Sequence, residues 1–116
     1  MVAGADKQRL LRESDIFVLP TTHPTEGQPI SILEAMGNGL AVVTTDYPGI
    51  ADVVCDGENG VVVNRHAVDA AVCYARMAEM NSADILRRNR DKIKQDYNQT
   101  QYIAGLRRCF LAALKA

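Results

Sequence analysis

Two hydrophobic patterns divide the chain. The first half carries short unbroken apolar runs between polar, glycine- and proline-bearing turns, and the second half carries apolar residues at helical spacing. Ile16-Phe17-Val18-Leu19, closed by Pro20, is four apolar residues in a row. It predicts a strand buried on both faces, as in a parallel sheet covered by helices. Ala41-Val42-Val43-Thr44-Thr45 and Val61-Val62-Val63 are β-branched runs that predict two further strands. Between the first two, Pro29 can open a helix in which Ile30, Ile32, Leu33 and Met36 face the core. Gly37-Asn38-Gly39 ends it. Asp46-Tyr47-Pro48-Gly49 reads as a turn, residues 50–54 as a helical turn or two, and residues 56–60 as another turn.

A short amphipathic helix over residues 7–13, with Leu10 and Leu11 on its apolar edge, precedes the first strand. Three helices follow the last one. Residues 67–80 carry Val68, Ala71, Val72, Ala75 and Met77 or Ala78 at helical spacing. The next opens on Ser82 as N-cap and runs through Ile85, Leu86 and Ile93, and the last runs from near Thr100 through Leu106 and Phe110 to Leu114. Strands alternating with helices predict a three-layer α/β, Rossmann-like unit of about three parallel strands with right-handed crossovers. Three strands are few for such a sheet, so residues 1–116 read as a single partial domain.

Composition removes several function classes. The 116 residues carry a formal net charge of −1, with 47% apolar and 23% charged positions. No basic excess points to nucleic acid or an anionic membrane, and no run of about 18 apolar residues predicts a membrane span. The N-terminus lacks the basic and apolar blocks of a signal peptide. Cys55, Cys73 and Cys109 form no CxxC or Cys/His cluster. They read as reduced, mostly buried thiols, with the cytoplasm as the expected compartment. With no paired-acid motif or His/Cys cluster, no metal cofactor is expected.

Candidate chemistry concentrates in residues 21–34. In an open parallel sheet ligands sit beyond the carboxyl ends of strands, where loops turn into helices. The backbone N–H groups of Gly27, Gln28, Ile30 and Ser31 fall at or near a helix start, which favours an anion such as phosphate. Glu26 and Glu34 are carboxylates suited to accepting hydrogen bonds from hydroxyls, with Glu34 about one turn beyond Ile30. A sugar nucleotide has that layout, with hydroxyls at both ends and a diphosphate between. Spacing alone leaves plainer readings open. The two glutamates can be solvated helix residues, Gly27-Gln28-Pro29 a tight turn, His23 an exposed loop residue, and Asp46 and Asp56 turn formers.

Five blocks in order carry a closer likeness: residues 14–20 (SDIFVLP), Glu26-Gly27-Gln28-Pro29 through Leu33-Glu34-Ala35-Met36, residues 39–45 (GLAVVTT), residues 49–54 (GIADVV) and residues 56–63 (DGENGVVV). Together they resemble the C-terminal, donor-binding domain of family 4 retaining glycosyltransferases of GT-B architecture. The resemblance implies that Glu26 contacts hydroxyls of the transferred sugar, Glu34 the ribose hydroxyls, and the backbone of Gly27, Gln28, Ile30 and Ser31 the diphosphate and sugar. It implies a nucleotide diphosphate sugar as donor substrate and no metal in the donor domain. Ala41 and Asp52 depart from the family pattern, where proline and glutamate are common.

The same resemblance makes the chain the second half of a GT-B C-terminal domain, with a missing N-terminal domain or subunit as partner and no transfer by the chain alone. An alternative is a stand-alone binding or assembly module working with a separate N-terminal subunit. A third is a Rossmann-like domain unrelated to sugars, with solvated glutamates. An unpaired edge on the Ile16–Leu19 strand predicts a homodimer formed through it.

Overall fold

A computed structural model of the chain describes residues 2–23, 27–80 and 82–115, with Ser82 described by its backbone only. Along the chain run α1 (Gly4–Glu13), β1 (Ile16–Leu19), α2 (Ile30–Gly37), β2 (Ala41–Thr45), α3 (Pro48–Ala51), β3 (Gly60–Val63), α4 (Ala70–Ala78), α5 (Ser82–Asp96) and α6 (Gln99–Leu114). The strands form one parallel sheet in the order β1-β2-β3, with Phe17 opposite Val42 and Val43 opposite Val61. The α/β, Rossmann-like expectation holds.

β2 is central, and all five of its residues are buried. Alternate side chains feed two cores. Val42 joins Ile32, Met36, Tyr47, Ile50, Val53 and Val54 on the α2/α3 face. Ala41 and Val43 join Val61, Val63, Cys73, Met77 and Ile85 on the α4 face. α5 serves both layers, with Ile85 in the second core and Ile93 against the first. α1 attaches to α2 through Leu11, packed with Ala35 and Leu40.

Several expectations are corrected. β1 is not covered on both faces: Phe17 and Leu19 are half-buried, whereas Ile16 and Val18 are exposed. An apolar run cannot reveal which neighbours cover it, and α4 lies over β3 and β2 and leaves β1 open. The result is an apolar groove of about 130 Å³ lined by Ile16, Val18, Val43, Cys73 and Tyr74 among others. Ile30 does not face the core but is 73% exposed, because α2 turns Ile32, Ala35 and Met36 inward.

α3 begins at Pro48 rather than Ile50. α4 begins at Ala70, capped by Asp69, whose carboxylate accepts the Ala71 and Val72 N–H groups. Its buried stripe is Cys73 and Met77, not Val68 and Val72, both of which are exposed. Ser82, expected as the cap of α5, is its first helical residue. Of the cysteines only Cys73 is buried, while Cys55 and Cys109 are exposed. α6 buries none of its residues despite its apolar spacing.

A radius of gyration of 15.8 Å, against about 13.4 Å for a compact chain of this length, reflects the elongated shape. No helix among the described residues is long and apolar enough to cross a membrane.

Candidate functional site

The carboxyl ends of β1 and β2 and the start of α2 form one region, held by buried threonines. β-Branched Thr44 and Thr45 suit the end of a central strand, and both are fully buried. The Thr44 hydroxyl donates to the Leu19 carbonyl at 3.0 Å and that of Thr45 to the Thr21 carbonyl at 2.5 Å. Buried hydroxyls need such acceptors. The bonds fix where the chain leaves β1 and enters the loop toward Pro29.

α2 starts without a side-chain cap, on Pro29 in extended geometry, and its first turn contains no acid. The Pro29 carbonyl accepts the Ile32 N–H at 3.1 Å. Ile30 and Ser31 precede any intrahelical partner for their own N–H groups. Among the described residues no side chain caps the positive end of the helix dipole, a setting that favours an anion by about 0.3–1 kcal/mol.

Glu34 lies one turn further along and does not point into empty solvent. Its Oε1 accepts a hydrogen bond from Lys7 Nζ on α1 at 2.9 Å, and the two side chains are 33% and 39% exposed. Gln28 points elsewhere: its Nε2 donates to the Tyr97 hydroxyl at 3.4 Å. Gln28, Leu33, Tyr97 and Tyr102 contribute to an open cavity of about 540 Å³ between α2 and the α5–α6 junction. Gly27 is exposed, Ser31 half-buried, and Ile30 projects outward from the first turn.

Gly27, Gln28, Ile30, Ser31 and Glu34 are therefore neighbours on one loop and helix start. Glu26 lies outside the described residues. Among the described residues no group of three or more His, Cys, Asp or Glu side chains is arranged to hold a metal ion.

Three contributors to this region escaped the sequence. Lys7, which meets Glu34, Tyr97, which meets Gln28, and Gly49, whose backbone lies against that of Gly27 and Gln28, are remote from the loop along the chain, and no local pattern connects them to it. The two aspartates read as turn formers do more than turn. Asp46 Oδ1 accepts the Arg65 N–H at 2.8 Å, which is the main influence holding its carboxyl below the usual range. The Arg65 guanidinium lies 4.6 Å from the Tyr47 ring centre, tying the loop after β3 to that after β2. Burial works to raise the Asp56 pKa, but the Val62 N–H and the Arg76 guanidinium outweigh it and hold the carboxyl low.

Comparison with known proteins gives a consistent result. Residues 1–80 match the family described as glycosyl transferases group 1. The chain is 35% identical over 100 residues to a protein of Salmonella typhimurium named as a colanic acid biosynthesis glycosyltransferase, WcaL, covering 78% of this chain and 24% of that protein. It is 38% identical over 74 residues to alpha-maltose-1-phosphate synthase of Mycolicibacterium smegmatis, covering 62% of this chain and 18% of that protein. It is 30% identical over 95 residues to UDP-Gal:alpha-D-GlcNAc-diphosphoundecaprenol alpha-1,3-galactosyltransferase of Escherichia coli, covering 80% and 24%. The chain spans about a quarter or less of the length of these relatives.

Proposed function

The chain belongs to the group 1 glycosyl transferase family, and from that membership we propose that it supplies the donor-recognition part of a nucleotide-sugar-dependent transferase. The observation that carries the reading is the uncapped start of α2 at the carboxyl end of β1, with Glu34 one turn along it. In this reading the N–H groups of Gly27, Gln28, Ile30 and Ser31 face the diphosphate and Glu34 accepts the ribose hydroxyls. Glu26 meets the transferred sugar. The architecture is GT-B, the enzyme a retaining member of family 4, and the donor a nucleotide diphosphate sugar bound without a metal. One relative carries a UDP-sugar in its name, which supports a nucleoside diphosphate donor.

The chain corresponds to the second half of a donor domain in a longer protein. Transfer requires the transition state to be held from both walls of a closed cleft, so this part alone binds donor weakly and does not turn over. The partner is an N-terminal domain or a separate N-terminal subunit, with the cytoplasm as its compartment. Saturation-transfer NMR with UDP- and GDP-sugars tests the reading. Donor signals that disappear with Glu34→Ala support it, and turnover by the chain alone or no binding of any donor counts against it.

β1 is paired only with β2 among the described residues, and its open face is apolar. This supports a homodimer formed through the Ile16–Leu19 edge when the chain stands alone. Sedimentation equilibrium at high concentration should give twice the chain mass, and a stable monomer would count against the pairing.

A further inference from the structure

Gly49, in the first turn of α3, lies backbone to backbone against the loop before α2. A Cβ built at Gly49 would stand 2.5 Å from the carbonyl carbon of Gly27, 2.6 Å from its oxygen and 2.9 Å from the Gln28 nitrogen. Carbon atoms in contact prefer about 3.5–4.0 Å. All three neighbours are backbone atoms, so no side-chain rotation relieves the overlap. Gly49 does not have a positive φ, so what the position demands is space and not a special conformation. Gly27 shows the reverse. A Cβ there would meet nothing within 4 Å among the described residues, and its φ is not positive either. The glycine that the folded chain requires at this contact is Gly49.

Resting on the donor reading above, we propose that Gly49 is a positioning residue for the nucleotide-sugar loop. By lacking a side chain it sets the depth of the Gly27–Gln28 peptide, and with it the aim of the N–H groups of Gly27, Gln28, Ile30 and Ser31 at a diphosphate. The two sides of the contact differ in how easily they yield. α3 is anchored by Tyr47, Ile50, Val53 and Val54, all buried in the first core. Gly27 and Gln28 are exposed. An added methyl at Gly49 therefore displaces the loop outward and leaves α3 in place. Among the described residues nothing lies against a Cβ at Gly27, so a methyl there does not push the loop as one at Gly49 does.

The test compares Gly49→Ala, Gly27→Ala and Gly57→Ala in the whole chain, using amide NMR spectra and binding of UDP-glucose and GDP-mannose. Gly57 has a φ of 76° and open space around it, so its alanine variant strains the backbone away from the loop and serves as the stability control. Gly49→Ala is expected to move the Gly27 and Gln28 amide resonances, leave those of Val53 and Val54 in place, and weaken whichever probe binds at least tenfold. Gly49→Ala with Ile50→Val, which gives α3 room to retreat, should recover part of the affinity.

A Gly49→Ala chain that fails to fold overturns the claim that the loop yields before α3. Unmoved Gly27 and Gln28 amides, or an affinity loss no larger than that of Gly57→Ala, overturn the proposal as well. A wild-type chain that binds neither probe refutes the donor reading instead.

Discussion

Replacing Glu34 by glutamine removes one charge and keeps the size of the side chain. Its cost to the fold follows from the pair it breaks. Lys7 and Glu34 meet at 2.9 Å with side chains 39% and 33% exposed, and such partly solvated pairs contribute about 0–1 kcal/mol. In a domain of this size that is a fall of about 5 °C or less in melting temperature. On the ribose role proposed above, its cost to donor binding is larger. A hydrogen bond from a ligand hydroxyl to an ionised carboxylate is worth about 1.5–3 kcal/mol, which converts to about a ten- to a hundredfold loss of affinity. Lys7→Met breaks the same pair but spares the carboxylate, so it should match Glu34→Gln in stability and exceed it in affinity. Thermal unfolding and calorimetric titration with a nucleotide sugar separate the two effects. Equal affinity losses in both variants, or undiminished binding by Glu34→Gln, would refute the ribose role.

Three further outcomes follow from the fold. Asn89 is fully buried on α5, and its Nδ2 donates to the carbonyls of Leu40 at 2.8 Å and Asn59 at 3.1 Å. Asn89→Ala removes both bonds, and with them the buried Oδ1 that has no partner among the described residues; it should cost about 1–3 kcal/mol in chemical denaturation, whereas no measurable loss would contradict that bridging role. Asp56 and Asp46 both have carboxyls held below their ordinary pKa of 3.8. Their stabilising effect is present above that value and lost as pH falls through the lower folded values. The acid limb of a stability-versus-pH curve should therefore flatten in Asp56→Asn, and an unchanged slope would count against the Val62 and Arg76 contacts as its cause. Leu106 and Phe110 on α6 are exposed, so Leu106→Ser with Phe110→Ser should alter melting by no more than about 0.5 kcal/mol per site. A large loss would mean that α6 is packed in solution.

What was legible in the sequence is what local pattern determines. The β2 boundaries follow from five β-branched or small residues that are buried on both sides, and the end of α2 follows from Gly37-Asn38-Gly39, where Gly39 takes a φ of 83°. β1 was bounded correctly, but its burial depends on α4, whose reach over the sheet is set by a turn some fifty residues later. Val68 and Val72 are four apart and read as one helical stripe, yet α4 starts only at Ala70 and turns a different stripe, Cys73 and Met77, inward. Ile30 sits in an apolar stretch but occupies the first turn, where the helix emerges from the sheet edge.

The site divides in the same way. The loop and helix start were readable because they adjoin in sequence. The Lys7 contact with Glu34, the Tyr97 contact with Gln28 and the Gly49 contact with Gly27 join distant elements, and only the fold brings them together.

On the reading proposed above, the bend into α2 holds a nucleotide sugar by its diphosphate and its ribose. The most direct measurement is a crystal structure of the chain with a bound nucleoside diphosphate. Phosphate oxygens are expected on the N–H groups of Gly27, Gln28, Ile30 and Ser31, and ribose hydroxyls on Glu34. Density for the ligand in the cavity beside Tyr97 and Tyr102, or at the β3 end beside Arg65, with Glu34 still engaged only by Lys7, would contradict it.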